Sequence, residues 1–423
     1  MSKLTAPRGT QDLIPPQTAA WQALEARIHG LARGFGYGEI RTPMFESTEL
    51  FVRGVGETTD IVEKEMYTFV DKGDRSMTLR PEWTAPVVRA AMQENLFALG
   101  PQRLYYIGPF FRYERPQAGR YRQAHQFGVE CFGYQGAEAD FEVIQLAWEL
   151  IASYQLKGAT LNINTIGDEH CRPQYRQALL DHFRPHLAEL SQDSQKRLER
   201  NPLRVLDSKA PQDAPFVERA PTFESVLCDA CRTHFDMLKH YLDEAEIPYV
   251  VNPRIVRGLD YYTRTVFEII SDALGAQSTV CGGGRYDGLV ASLGGPAVPA
   301  VGFGLGLERF LMMLAATGSQ DAAQRGGIQL IALGSDARER LVHLLAYLRS
   351  QGASPTFMDY NDRKLLAQLK MADANNARYA LIAGDQELAA GELVLRDLTT
   401  REDRRIPFAQ EKDTATTLVE MGL

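Results

Sequence analysis

Between Tyr105 and Tyr134 the sequence places arginines, carboxylates and glycines at spacings that could hold a polyphosphate beside a small polar ligand. The stretch YYIGPFFRYERPQAGRYRQAHQFGVECFGY reads as two strands joined by a loop containing Pro116 and Gly119. Side chains alternate across a strand, so Gly108, Phe110, Arg112 and Glu114 share one face of the first. In the second strand Gln126, Gly128, Glu130 and Phe132 share a face, with Phe127, Val129 and Cys131 opposite. A polar face that also carries glycines and aromatics suggests a walled cleft rather than open solvent. The loop adds Arg115, Arg120 and Arg122. A guanidinium fork binds phosphate oxygens in pairs and stays charged. Taken alone, the same residues would suit a salt-bridged surface hairpin.

Three further stretches could add to such a site. Arg257-Gly258-Leu259-Asp260-Tyr261-Tyr262 precedes a strand, and Cys281 leads into Gly282-Gly283-Gly284-Arg285-Tyr286. In VGFGLGLERF, Val301, Phe303, Leu305 and Leu307 alternate with glycines, so one strand face is apolar and the other bare. The bare face is expected to be a floor for a flat base, with Arg309 approaching as a helix begins. GxGxG here is no dinucleotide fingerprint, because the βαβ spacing is missing. Glu82 and Thr84 stand just before a helix starting near Pro86, and a lone Glu there also suits the helix N-terminus. Cys228-x-x-Cys231 invites a zinc reading. Zinc needs four ligands, no second pair accompanies this one, and His234 or Cys171 would have to be recruited by the fold. A pair of helix cysteines is the preferred reading.

The elements that must position these residues follow from periodicity. Thr18 to Gly34 reads as an amphipathic helix through Trp21, Leu24, Ile28 and Leu31, followed by a strand with Pro43. A β-hairpin turns at Lys72-Gly73-Asp74. Asp140 to Tyr154 reads as a helix and ATLNINTIG as a strand. Helical, charged sequence then runs from about 168 to 250 and reads as an insertion. After GSQDAAQRGG the pattern becomes β-α-β-α-β with two more short strands. The expected domains are therefore 1–325, interrupted at about 168–250, and 326–423.

Length and composition set bounds on function. At roughly 150 residues per domain, 423 residues suggest two to four domains. Charged residues at 24% and apolar ones at 44% fit a globular chain. No apolar run reaches the roughly 20 residues needed to span a bilayer, and five scattered cysteines make no disulfide framework. The cytoplasm is the expected compartment. A net charge of -8 argues against indiscriminate nucleic-acid binding, though not against a local basic surface for one RNA.

FRYERPQAGRYRQAHQ, RGLDYYTRTVFE, GGGRYDGL and GFGLGLERF, in that order, resemble the motifs of bacterial histidyl-tRNA synthetases, which are class II aminoacyl-tRNA synthetases. The resemblance covers nearly the whole chain. It implies an α+β catalytic domain on an antiparallel sheet, a helical insertion beside the tRNA acceptor arm, and a C-terminal α/β anticodon-binding domain. It implies a homodimer joined through the first helix–strand–proline segment. The implied reaction makes histidyl-adenylate from L-histidine and ATP with Mg²⁺, then transfers the histidyl group to histidine tRNA.

By the same resemblance, Glu82 and Thr84 bind the substrate's α-amino group, and Gln126 helps position the amino acid. Glu130, Tyr261, Tyr262 and Tyr286 belong to the imidazole pocket. Arg112 and Arg257 hold the α-phosphate, Arg257 also lying near the attacking carboxylate. Arg120 and Arg309 hold the outer phosphates, and Glu114 the adenine amino group. Two positions depart from the family pattern: Ala124 replaces a usual Phe and Trp83 a usual Gly. Trp83 is expected to fill the space left at Ala124, unless the two changes are independent. The competing readings are a synthetase-like regulatory subunit of ATP phosphoribosyltransferase and a non-catalytic RNA-binding or signalling module. Intact histidine motifs, the arginine set and the C-terminal domain favour the enzyme.

Overall fold

The computed structural model describes residues 3–423 except 57–58, 157, 207, 256–258, 278, 319–324 and 354, and excludes the side chains of 200 and 275–277. The chain divides into two compact units, Met1–Gln320 and Asp321–Leu423.

The first unit opens with helix α1 (Gln17–Gly34), which buries Trp21, Leu24, Ile28 and Ala32 at helical spacing. Strand β1 (Gly38–Glu39) follows, then a small antiparallel sheet of β2 (Phe45–Ser47), β3 (Tyr67–Val70) and β4 (Ser76–Leu79), with α2 (Thr48–Val55) between the first two. Helix α3 (Thr84–Gln93) leads to the long pair β5 (Gln102–Phe111) and β6 (Gln123–Phe132), then α4 (Ala137–Ala152) and β7 (Ala159–Thr165). Next come α5 (Arg172–Phe183), α6 (Gln192–Arg200), α7 (Ala214–Glu218), α8 (Asp229–Glu244) and β8 (Tyr249–Val251). The unit ends with β9 (Thr263–Ser271), β10 (Thr279–Arg285), α9 (Leu289–Ser292), β11 (Ala300–Gly306) and α10 (Leu307–Thr317).

Eight of these strands form one sheet in the order β1-β5-β6-β11-β10-β9-β7-β8, antiparallel except at the two edge pairings β1–β5 and β7–β8. Its two faces differ in kind. Tyr105, Phe127, Val129, Phe303, Leu305, Phe267 and Ile163 point to a core shared with α1, α4, α8 and α10. The other face is rich in glycine and forms the floor of a cleft. Helix α8 packs on α4 through the main core, whereas Tyr175, Leu179 and Phe183 of α5 join a second cluster with Phe216 and Phe223. A buried ion pair ties α4 to β10. Arg285 donates to Asp140 at 2.6 Å with both side chains fully buried, and His234 of α8 meets the same carboxylate at 3.0 Å.

The second unit is a five-stranded sheet in the order β13-β12-β14-β15-β16, with β12 (Ile328–Ala332), β13 (Thr356–Met358), β14 (Tyr379–Ala383), β15 (Glu392–Asp397) and β16 (Asp403–Pro407). The first three strands are parallel and the last two antiparallel. Leu341, Leu344, Leu345 and Leu348 of α11 (Ser335–Ser350) pack on one face with Ala415 and Leu418 of α14 (Glu411–Glu420).

Candidate active site

The glycine face of the large sheet floors a cleft of about 200 Å³ that opens to solvent. In the β5–β6 register Gly108 pairs with Gln126, Tyr106 with Gly128 and Leu104 with Glu130. Across the other edge of β6, Gly302 pairs with Glu130 and Gly304 with Gly128. These pairings explain what the glycines in GFGLG do. A β-carbon at Gly302 would overlap the Glu130 carboxylate, and one at Gly304 would overlap the Gln126 amide. The expected bare floor for a base is therefore occupied: at Gly302 and Gly304 the missing side chains make room for two polar side chains of the neighbouring strand.

Glu130 is the centre of one cluster. It is 1% exposed. Thr84 Oγ1 donates to its Oε1 at 2.8 Å, Tyr106 OH donates to the same oxygen at 3.3 Å, and Tyr286 OH donates to Oε2. Burial pushes its carboxyl up to about 8, against the three hydroxyl donors, with the neighbouring Glu82 adding to the rise. Glu82 accepts from the backbone N–H of Thr84 at 2.7 Å and of Ala85 at 2.9 Å, so it caps α3 as its position before a helix suggested. Burial raises Glu82 as well, opposed by those two donors and by Arg112. Each carboxylate oxygen has a second lone pair, so capping leaves acceptor capacity toward the cleft. Tyr261 lies 4.9 Å from Tyr262 and 5.5 Å from Tyr286, ring to ring. Gln126, Tyr261, Tyr262 and Tyr286 all line the cleft.

The arginine cluster adjoins this one. Strand β5 ends at Phe111, so Arg112 and Glu114 lie beyond it rather than on its alternating face. Their positions come from the loop: Arg112 N–H donates to Arg122 O, and Arg112 Nε donates to Pro81 O at 2.8 Å, next to Glu82. Arg120 Nε is 2.5 Å from Glu114 Oε2. Arg309 reaches from α10 to donate to Gly119 O and Thr279 O, both at 2.9 Å. Burial lowers Arg309, and the repulsion of Arg120 and Arg112 adds to that against the pull of Glu114 and Glu308. Arg115 and Arg122 do not line the cleft; Arg122 lies over the Tyr113 ring. Arg257 lies outside the described residues.

Trp83 lies in the same cleft as Ala124. Its ring stacks on Tyr106 at 4.5 Å, with the Arg80 guanidinium 3.3 Å from its other face. It covers Gly108, where a β-carbon would come within 2.7 Å of the indole. Ala124 pairs with Phe110, one step along the same face, and both Trp83 and Ala124 line the cleft. Trp83 thus backs the Glu130 cluster through Tyr106. His234 faces Asp140 and is no partner for Cys228.

Two residues escaped the sequence reading. Tyr106 follows from the same alternation that placed Gly108, had it been carried one step back. Glu308 accepts from the backbone N–H of His125 at 3.0 Å and meets His125 Nδ1 at 2.9 Å, clamping β6 to α10. Nothing in the local pattern marks that contact, which joins residues 183 apart.

Known proteins share this architecture along the whole chain. The family model described as histidyl-tRNA synthetase matches residues 9–310, and that of an anticodon binding domain matches 328–416. The chain is 50% identical over 405 residues to the histidine–tRNA ligase of Desulfitobacterium hafniense, covering 95% of each. It is 47% identical over 426 residues to that of Streptococcus gordonii, covering 100% of each. The apo histidyl-tRNA synthetase of S. aureus superposes with a TM-score of 0.81 at 37% identity, over 99% of both chains. A structure described as an ATP phosphoribosyltransferase regulatory subunit/histidyl-tRNA synthetase from Bacillus halodurans shares the fold at 21% identity and a TM-score of 0.64, covering 90% of this chain. With matches of this extent around a cleft of buried carboxylates, tyrosines and arginines, the chain belongs to the histidyl-tRNA synthetase family.

Proposed function

We propose that this chain is a histidine–tRNA ligase that activates L-histidine with ATP and passes the histidyl group to the 3′ end of histidine tRNA. The observation that carries the reading is the Glu82–Thr84–Glu130 chain set beside the arginine cluster. Glu82 and Thr84 take the substrate's ammonium, whose desolvation requires a charge partner. Glu130, with Tyr286, Tyr261 and Tyr262 around it, pairs with the imidazole, which offers one donor and one acceptor nitrogen. A pocket of paired hydrogen bonds rejects apolar isosteres by a factor of roughly 10⁴ or more. Gln126 orients the amino acid.

The carboxylate of histidine then attacks the α-phosphorus in line and pyrophosphate leaves. Catalysis is mainly positioning and charge neutralisation. Arg112, held by Pro81 O between the two clusters, serves the α-phosphate together with Arg257. Arg120 and Arg309 hold the outer phosphates and Glu114 the adenine amino group. Mg²⁺ enters with ATP as counter-ion to the pyrophosphate oxygens, and no side chain is assigned to it. The unit containing residues 328–416 takes the anticodon, and the chain works as a homodimer in the cytoplasm. Among the described residues no helix is long and apolar enough to cross a membrane.

ATP–pyrophosphate exchange tests the reading, run with histidine alone and then with each other amino acid. Histidine-dependent exchange, followed by charging of histidine tRNA, is the expected result. No exchange from folded, magnesium-supplied protein would favour the regulatory-subunit reading instead.

A further inference from the structure

Away from the cleft, the fold assembles four groups that the sequence scatters over more than sixty positions. The ligand atoms of Asp168, Cys171, Cys228 and Cys231 all lie within 4.8 Å of one another. We propose that they form a structural zinc site, three thiolates and one carboxylate, at the neck of the helical segment between β7 and α8.

The surroundings are built for it. Asp168 and Cys171 stand where the chain leaves β7, and Cys228 and Cys231 where it enters α8. Gly167 turns there with φ +60°, and a β-carbon on it would come within 2.5 Å of Cys171 Cβ, so glycine lets Cys171 fold back over the end of β7. Cys171 is the N-cap of α5 and Cys228 the N-cap of α8. Two helix N-termini thus converge on the cluster. The backbone N–H of Cys228 donates to Cys171 Sγ at 3.2 Å, fixing that sulfur's direction. Arg264 of β9 lies 3.7 Å from Asp168 Oδ2, the oxygen that also faces Cys228 Sγ at 4.0 Å. Cys171 and Cys231 are buried, and none of the five cysteines is in a disulfide.

The donor set selects the metal. Thiolates favour a borderline-soft ion, and tetrahedral Zn–S bonds of about 2.3 Å put sulfurs roughly 3.8 Å apart, a contraction of at most about 1 Å from the observed cluster. Hard cations such as Mg²⁺ or Ca²⁺ would want oxygens. No redox step is required: each thiol loses its proton to solvent as the ion binds. The ion would staple the two ends of the segment from 172 to 227, as a cross-link closing a long loop does. The second pair that the CxxC spacing lacked is supplied by Asp168 and Cys171 from the far end of the insertion.

The test is metal content of the full chain, prepared without a metal-affinity tag and reconstituted anaerobically with zinc. About one zinc per chain is expected, lost in Cys171→Ser and in Cys228→Ser. Exchange of the wild-type chain with Co²⁺ should give the thiolate charge-transfer and ligand-field bands of a tetrahedral site, a readout independent of how the variants fold. A reconstituted wild-type chain with no bound zinc and no such cobalt spectrum overturns the proposal. So does zinc retained in full by folded Cys228→Ser, or a Cys228–Cys231 disulfide in protein handled without oxidant.

Discussion

Replacing Glu130 by Gln should flatten a pH dependence of folding that the buried carboxyl imposes. Burial moves this group from its ordinary 4.5 to about 8. Between those values the folded chain holds a proton that the unfolded chain has released. Stability from this group is therefore complete below about pH 4.5 and falls as pH rises toward 8. At about 1.4 kcal/mol per pH unit the full window is worth roughly 5 kcal/mol. Glutamine keeps the shape, accepts from Thr84 and Tyr106 through its one carbonyl oxygen, turns its NH2 to the Tyr286 oxygen, and does not titrate. Urea unfolding of both proteins between about pH 5 and about pH 8 reads the difference directly. Glu82 and Glu65 are also raised by burial and slope the same way, but both proteins share them. The variant should gain roughly 3–4 kcal/mol relative to wild type across that range. Parallel stability curves would refute the reasoning, because some other group would then hold the proton. The same variant should lose roughly 3–10-fold in kcat/KM for histidine, the value of one neutral hydrogen bond.

Other substitutions separate packing from chemistry. Gly304→Ala should raise KM for histidine with little loss of stability, since the new methyl displaces only the end of Gln126. Gly283→Ala meets the Gly302 carbonyl instead and should cost roughly 1–3 kcal/mol in thermal or urea unfolding. Trp83→Ala should cost roughly 3–5 kcal/mol by opening a cavity between Arg80 and Tyr106, and Gly108→Ala should partly restore it by filling the same space. A full loss of stability additive over the two would dismiss the packing account. Asp140→Ala strands the buried Arg285 and should cost roughly 3–5 kcal/mol while leaving KM for ATP within about twofold, as judged by unfolding and exchange assays.

Much of this was legible in the sequence because the cleft is built on a sheet. Alternation placed Gln126 and Glu130 on one face, and the glycine periodicity of GFGLG marked the strand beside them. Position along a strand is local information. What that alternation did not carry was the use of the glycines, which depends on the register between β6 and β11: only pairing Gly302 with Glu130 shows which side chain takes the vacant space. Arg112 and Glu114 were placed on the strand face because the pattern runs on past Phe111, where the strand ends. The stacking of Trp83 on Tyr106 needed the β5–β6 register, because neither residue's own neighbourhood in the sequence marks the other. Cys171 and Asp168 could not be joined to the CxxC pair before the topology brought β7 and α8 to one place.

Thr84 touches both acidic groups of the pocket, its N–H on Glu82 and its hydroxyl on Glu130. In the proposed arrangement those groups grip opposite ends of the amino acid, one the backbone ammonium and the other the side-chain ring. A single residue thereby acts as a gauge of side-chain length, with both jaws anchored to the first turn of α3. A shorter polar side chain would reach only one jaw, and a longer one could not close between them. The mirror-image amino acid, held at both ends, would aim its carboxylate away from Arg112.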